Sequence, residues 1–387
     1  MARRAFVAGA GIGGLTAALA LARQGFEVEV FERAPALEPF GAGLQLSPNA
    51  TRALARLGVL DAVRTLALEP RAIRLIDARD GAEFARLPLD GAERRWGAPY
   101  LVIHRADLQS ALVEAAAGLP NLALSLATEV VDAAVEGAGV VVALKRGGAV
   151  ARETGELLIG ADGLSSRVRA RIGFGAADAP PFSGLVAFRA VVDAGRAPKR
   201  AQASEVTLRL GAGAHLVCYP LRGGAIVNLV AVIEAARPGD ADDRAALDRA
   251  AAGWSRDARA LIAAAAGNWR AWPLRLRPPL ARFSLGPIAL VGDAAHPMTP
   301  FLAQGAAQAI EDADALERRL AETTDAQSAL AAYSRDRVAR AARVQRDALM
   351  QGRVYHLGGP FAFARDLALA ALGPEGMLKR LDWLYAA

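Results

Sequence analysis

Hydrophobic positions along the chain switch between two spacings, and the switches divide it into an α/β frame with a β-rich insert. Residues 5–8 form an apolar run of strand length, 15–22 an apolar run of helix length, and 27–31 alternate again. Alternation with period two buries one face of a strand, whereas spacings of three and four align one face of a helix. A strand-turn-helix-strand unit is therefore predicted over residues 4–32. A glycine-rich turn at 40–43 leads to a helix at 49–57. Short strands at 73–77 and 83–87 precede a helix at 105–117, and strands follow at 122–126, 129–135, 139–145 and 157–161. The middle of the chain reads as antiparallel sheet, because 185–192, 205–210, 214–219 and 225–233 are bounded by glycines, prolines or charges. One long alanine-rich helix is predicted over 243–266 and a strand over 268–276. The α/β pattern resumes with a strand at 288–291, a helix at 303–319, and two closing helices at 325–355 and 361–371.

That resumption carries the densest local chemistry. Residues 292–312 read GDAAHPMTPFLAQGAAQAIED. Gly292 permits a sharp exit from the strand, and Asp293 presents an acceptor where the strand ends. Pro297 and Pro300 hold the backbone out of a helix until about Ala303. The free N–H groups and positive dipole end of the helix that follows are expected to face the same crevice as Asp293, making a polar cradle.

Composition narrows the classes. At 387 residues and 40.3 kDa the chain has room for two or three domains. With 53% hydrophobic and 22% charged residues, and no repeat or low-complexity tract, it reads as folded and globular. The net charge of +6 is almost entirely arginine, since Lys145, Lys199 and Lys379 are the only lysines. The arginines are scattered, so a nucleic-acid partner is not expected. A lone cysteine, Cys218, excludes an intrachain disulfide and fits a reducing, cytoplasmic setting. No metal site is expected.

Residues 5–22 are uncharged behind Arg3 and Arg4, which imitates a signal peptide or a membrane span. Their glycines argue otherwise. Gly9-Ala10-Gly11-Ile12-Gly13-Gly14 satisfies GxGxxG between a predicted strand and helix, and Glu32 ends the next strand eighteen residues after Gly14. The first glycine makes the turn, the second lets a pyrophosphate approach the backbone, and the third packs helix on strand. Glu32 is suited to ribose hydroxyls. No stable membrane insertion is expected, and a Rossmann-like dinucleotide site is. The glycines alone do not separate NAD from FAD.

Two further motifs bear on that choice. Gly160-Ala161-Asp162-Gly163 follows a strand and precedes Ser165, Ser166, Arg167 and Arg169. Asp162 reads either as a turn residue capping a short helix or as part of a phosphate- and nucleotide-handling site. Within the run 214–220, His215 and Tyr219 stand four apart, which puts both side chains on one strand face and Cys218 on the other. His215 is a candidate base, or a sheet histidine satisfied by a local hydrogen bond.

The glycine motif at Gly9, the GADG motif at Gly160 and GDAAHP at Gly292, together with GAGLQLSPNA at Gly41 and HRADL at His104, resemble the single-component FAD-dependent aromatic hydroxylases of the salicylate and hydroxybenzoate hydroxylase type. The likeness runs over nearly the whole chain. It implies a Rossmann-like FAD-binding domain from residues 1–71, 97–175 and 277–345, an inserted, mainly antiparallel substrate sheet from 72–96 and 176–276, and a C-terminal helical segment, 346–387. It also implies hydroxylation of a small aromatic acid or phenol with O2 and NADH or NADPH, through a flavin C4a-hydroperoxide.

At matching positions the resemblance gives Gly9, Gly11 and Gly14 to the FAD pyrophosphate, Glu32 to the ribose, and Arg33 to the adenosine end. Arg105 would reach the pyrophosphate, Val130 the adenine through its backbone, Asp162 both FAD and NAD(P)H, and Asp293 the ribityl chain. Ala303, Gly305 and Ala306 would offer N–H groups to the flavin's pyrimidine edge. His215 and Tyr219 would poise the substrate phenol, with Gln45 and Pro300 lining the pocket and His296 structural. Residues 383–385 allow packing on the chain itself or on a second copy in a homodimer. Three other readings stay open: a flavin epoxidase or hydroxylase of isoprenoids or polyketides, a non-turnover FAD redox protein, and a plain nicotinamide dehydrogenase.

Overall fold

A computed structural model describes residues 3–37, 42–174, 180–242 and 244–386. Arg4–Ala8 lies inside a six-stranded sheet, ordered Ser284–Leu285, Ile288–Leu290, Leu157–Gly160, Arg4–Ala8, Glu27–Phe31, Leu122–Ser125. All neighbours are parallel except the first pair. Residues 5–22 thus fold as strand, glycine turn and the helix Ile12–Arg23, and no helix among the described residues is long and apolar enough to cross a membrane. That helix is apolar on nearly every side because it is buried on nearly every side. Three distant chain segments therefore meet: the C-terminal strand ends at Ala8, Gly160 and Leu290 lie side by side.

A second sheet of seven strands runs Arg270–Arg275, Phe182–Asp193, Ile226–Glu234, Ala214–Leu221, Val206–Gly211, Ala72–Asp77, Glu83–Pro88. It is antiparallel apart from the Val206–Gly211/Ala72–Asp77 pair. One face packs on the helices between residues 244 and 264, burying Cys218, Leu216 and Trp254 together. The other face, with Tyr219, Leu208 and Val232, turns toward Phe301, Tyr355 and the C-terminal helices. Cys218 and Tyr219 do point apart, as alternation requires.

Several elements differ from expectation. The helix predicted over 243–266 is two helices, Arg244–Ala250 and Arg256–Ala264, because Ser255 interrupts it and caps the second by accepting the Ala258 N–H. The closing helix is Gly359–Lys379, longer than 361–371, with a break at Gly373 (φ 62°) ahead of Pro374. The strand Ala149–Gly155 was not expected; its exposed, mixed residues hide the alternation, and it hairpins onto Gly139–Arg146. The helix expected from Ala303 begins at Gly305. Phe40 and Gly41 of the glycine-rich turn, and Asp243, lie outside the described residues.

Candidate functional site

At the end of Arg4–Ala8 the chain turns at Gly9, whose φ of +104° suits glycine, and a Cβ there would sit 2.6 Å from the Ala161 carbonyl oxygen. A Cβ on Gly14 would lie 1.8 Å from the Gly9 oxygen, so only glycine lets this helix close on this turn. Gly11 is the opposite case: nothing stands within 4 Å of where its Cβ would be. The turn leaves room there for a ligand rather than for protein. Glu32 accepts the N–H groups of Ala10 and Ala34, each at 2.9 Å, and so fixes its carboxylate beside the glycines. Gly9, Gly11, Glu32, Arg33, Val130 and Asp162 line one crevice of about 200 Å³. Asp162 also accepts the Arg167 and Val168 N–H groups at 2.7 and 3.2 Å, so it caps the short helix Arg167–Arg171 as well as facing the crevice.

A larger cleft of about 490 Å³ opens between the two sheets, lined by Arg105, Asp293, Arg189, Trp272, Pro297 and Met298 among others. Asp293 is exposed and lines this cleft. Its surroundings raise its pKa through desolvation, which outweighs the opposing pull of His296, Arg105 and Arg189. The turn that presents it is held from beneath. Asp312, on the helix Gly305–Glu322, accepts the Gly292 N–H at 2.8 Å, lies 2.6 Å from His296 Nε2, and pairs with Arg337 Nε at 2.7 Å. Burial alone would push the Asp312 carboxyl up; His296 and Arg337 outweigh it and hold it below the usual range. Glu311 pairs with Arg337 and Arg340, while Gln304 binds Asn49 and Ser47, tying this helix to the Pro48–Arg56 helix. His296 is thus held within this network.

Ala303 departs from its expected place. Its backbone is left-handed (φ 53°) and its N–H is used by the Pro300 carbonyl at 2.9 Å, closing the turn Pro300–Leu302. The first-turn N–H groups without an intrahelical acceptor belong to Gly305 and Ala306 instead.

On the Ala214–Leu221 strand, His215 and Tyr219 share a buried face, 3% and 2% exposed, but they meet different partners, and neither lines the large cleft. His215 Nδ1 lies 2.9 Å from His356 Nε2, and its ring packs between Phe301 and Tyr355. Tyr219 abuts Gly43, where a Cβ would come within 2.8 Å of its hydroxyl oxygen, and the Gly43 N–H donates to Asn228 at 2.7 Å. Burial holds His215 well below the ordinary histidine value and drives Tyr219 up, Arg189 opposing the latter. Gln45 accepts from Tyr100 Oη at 2.7 Å, and Pro300 opens the turn that presents Phe301 to His215. Both therefore reach this chamber through neighbours.

Sequence reasoning missed three contributors. Arg189 stands mid-strand in an otherwise apolar FSGLVAFRAVVD run; its Nε is buried without a hydrogen-bond partner, and its guanidinium lies 5.7 Å from the Trp272 ring centre. His356 follows a 30-residue helix whose end carried no motif. The Glu311–Asp312–Arg337 cluster had a visible signal, since charges stand on the buried side of two helices. The C-terminal aromatics pack on their own chain: Asp382 binds Arg95 and Trp96, and Tyr385 stacks edge-on to Trp96 at 5.0 Å.

Residues 3–348 match the family described as FAD binding domain. A 3-hydroxybenzoate 6-hydroxylase of Polaromonas naphthalenivorans is 37% identical over 98% of this chain and 94% of its own length. The chain belongs to this family. A 6-hydroxynicotinate 3-monooxygenase of Bordetella bronchiseptica is 37% identical over 89% of this chain and 90% of its own. Among solved structures, HpxO of Klebsiella pneumoniae, complexed with FAD and uric acid, superposes with a TM-score of 0.88 at 26% identity, covering 98% of this chain and 95% of that one. The family member described here is accordingly an FAD-dependent monooxygenase of the aromatic hydroxylase group, with NAD(P)H as co-substrate. The open face of Gly11 and the crevice around Glu32 fit such a cofactor.

Proposed function

We propose that the enzyme hydroxylates a small phenolic acid of the hydroxybenzoate or hydroxynicotinate type, in the cytoplasm, at a ring carbon activated by the existing hydroxyl. The observation that carries this reading is the buried strand face on which His215 and Tyr219 stand together, with Arg189 nearby. The relatives that act on 3-hydroxybenzoate and 6-hydroxynicotinate support the substrate class.

The roles divide among the glycine crevice, the cleft, and the buried strand face of His215 and Tyr219. Gly9, Gly11 and Gly14 hold the FAD pyrophosphate with Arg105; Glu32 takes the ribose, and Arg33 and Val130 border the adenosine end. Asp162 serves the cofactor and the nicotinamide, Asp293 the ribityl chain, and the Gly305 and Ala306 N–H groups the pyrimidine edge, where they favour negative charge. FAD, when bound, supplies electron acceptance from NAD(P)H and oxygen activation. The chain positions the ring, excludes water and moves one proton. His215 withdraws the phenol proton, which enriches the ring for attack, and Tyr219 orients the same oxygen. Arg189, with an unused buried donor, anchors the carboxylate. Gln45, Tyr100 and Pro300 contribute to the wall.

A screen of 3-hydroxybenzoate, 4-hydroxybenzoate, salicylate and 6-hydroxynicotinate for stimulated NAD(P)H oxidation, with products identified, tests the reading. At least one should be hydroxylated. If none stimulates oxidation of the yellow protein, the substrate class is wrong and larger isoprenoid or polyketide substrates take its place.

A further inference from the structure

A proton taken up by His215 starts in the interior, since the residue is 3% exposed. Of the four histidines in the chain, two touch. His215 Nδ1 lies 2.9 Å from His356 Nε2, and His356 Nδ1 lies 3.6 Å from a Glu234 carboxylate oxygen. The Glu234 side chain is 65% exposed, so the line runs from the buried chamber to the surface. Resting on the reading of His215 as the base for the substrate phenol, we infer that His356 and Glu234 form a relay that sets the tautomer of His215 and carries the substrate's proton to solvent.

The backbone fixes all three members. The Gly213 N–H donates to the His356 carbonyl at 3.0 Å, and the Glu234 N–H donates to the Gly213 carbonyl at 2.9 Å. The hairpin turn ahead of His215 is thereby clamped to both other residues. The groups that face the pair are few. Phe301 and Tyr355 cover His215, and Arg365, itself paired with Asp366, approaches His356 from the next helix. Burial and Arg365 bring His356 down to about 4, and burial, then His356, holds His215 lower than an ordinary histidine. Both rings are therefore neutral at pH 7, with one proton each.

One proton per ring forces an ordering. The Glu234 carboxylate favours the proton on His356 Nδ1, which leaves His356 Nε2 as an acceptor. His215 must then donate from Nδ1, and its Nε2 is left unprotonated to accept from the phenol. In the transfer, the phenol O–H breaks and His215 Nε2–H forms. The His215 Nδ1 proton passes to His356 Nε2, and the His356 Nδ1 proton leaves to Glu234 or to water. The reverse passage returns a proton to the product. No electrons move, and neither ring holds both protons at rest. His356 is a positioning residue for His215, since it touches neither substrate nor cofactor.

The test is made on the flavoprotein. Imidazole 1H–15N long-range spectra at pH 7 should show His215 protonated on Nδ1, a readout independent of turnover; protonation on Nε2 overturns the inference. In stopped flow, the rise of phenolate absorbance on binding 3-hydroxybenzoate should slow by about tenfold or more in His356→Gln, which keeps a hydrogen bond but cannot relay. FAD content and substrate Kd should stay within about twofold, and added imidazole should restore part of the rate. The surface variant Glu234→Gln should slow the same phase by a smaller factor. A wild-type rate of phenolate formation in both variants overturns the relay. His215→Gln separates the two claims: if it alone slows phenolate formation, only the relay fails, and if it also forms phenolate at the wild-type rate, the base itself is misassigned.

Discussion

The glycine crevice and the histidine chamber are built in opposite ways. The crevice is made of backbone: Gly9 and Gly14 are fixed by atoms 2.6 and 1.8 Å from where a Cβ would be, and Glu32 binds the N–H groups of Ala10, in the glycine turn, and of Ala34, just past its own strand. Its parts lie within one βαβ unit, with Asp162 and Val130 brought in by the parallel sheet and its neighbouring hairpin. The chamber is made of side chains from distant segments: Gln45, Tyr100, His215, Tyr219, Phe301 and His356. The first region allows almost no change of residue and serves a cofactor of fixed shape. The second is filled by rings brought together from separate elements. Asp312, on the helix Gly305–Glu322, holds the Gly292 turn that presents Asp293 to the cleft.

The comparison breaks most severely at the glycines. Gly14→Ala should remove FAD from the purified protein by about a hundredfold or more in affinity, because the Cβ cannot be accommodated within 1.8 Å of a backbone oxygen. Absorbance near the flavin band per protein reads this directly, and a fully yellow Gly14→Ala protein would contradict the backbone-built crevice.

Next in size is the network that holds the Gly292 turn. Arg337→Ala strips the buried Asp312 of its arginine partner and leaves Glu311 with Arg340 alone, and should cost about 3 kcal/mol in urea unfolding of the flavoprotein. The sign with pH follows from the same carboxylates. Both are depressed in the fold, so their contribution is present above the ordinary carboxyl values and is lost as pH falls below them. Wild type should therefore lose stability below about pH 4 more steeply than Arg337→Ala.

Smaller effects belong to the chamber side. Arg189→Gln should raise KM for a carboxylated phenol by about tenfold, the worth of one charged hydrogen bond, while a phenol lacking the carboxylate is affected less. Equal losses for both would remove Arg189 from the substrate. The smallest expected change is in the pH profile. His215 is depressed below 6.5 by burial, so kcat/KM should show no histidine limb between about pH 6.5 and 8, and should fall only at lower pH. A limb near 6.5 would mean that the working histidine is solvated.

What the sequence made legible follows the same division. The crevice was readable because GxGxxG and Glu32 carry their geometry in their spacing, and the 214–221 strand placed His215, Cys218 and Tyr219 on the correct faces by alternation alone. Ala303 was misplaced because a proline turn can end in a left-handed residue before the helix starts, and composition does not show where. Arg189 and His356 were invisible because their importance comes from what the fold sets beside them: a cleft wall at Trp272 for one, and a second imidazole 141 residues earlier for the other. The helix over 243–266 was read as continuous because alanines on both sides masked the Ser255 cap.

The most direct test of the account sets the two regions against each other in one variant. His215→Ala should keep its bound FAD at the wild-type ratio and still be reduced by NAD(P)H, while formation of hydroxylated product from 3-hydroxybenzoate, or from whichever phenolic acid the screen identifies, falls by about a hundredfold or more. Retained hydroxylation at the wild-type rate, or loss of FAD in step with activity, would contradict a chamber whose chemistry is separate from the crevice that holds the cofactor.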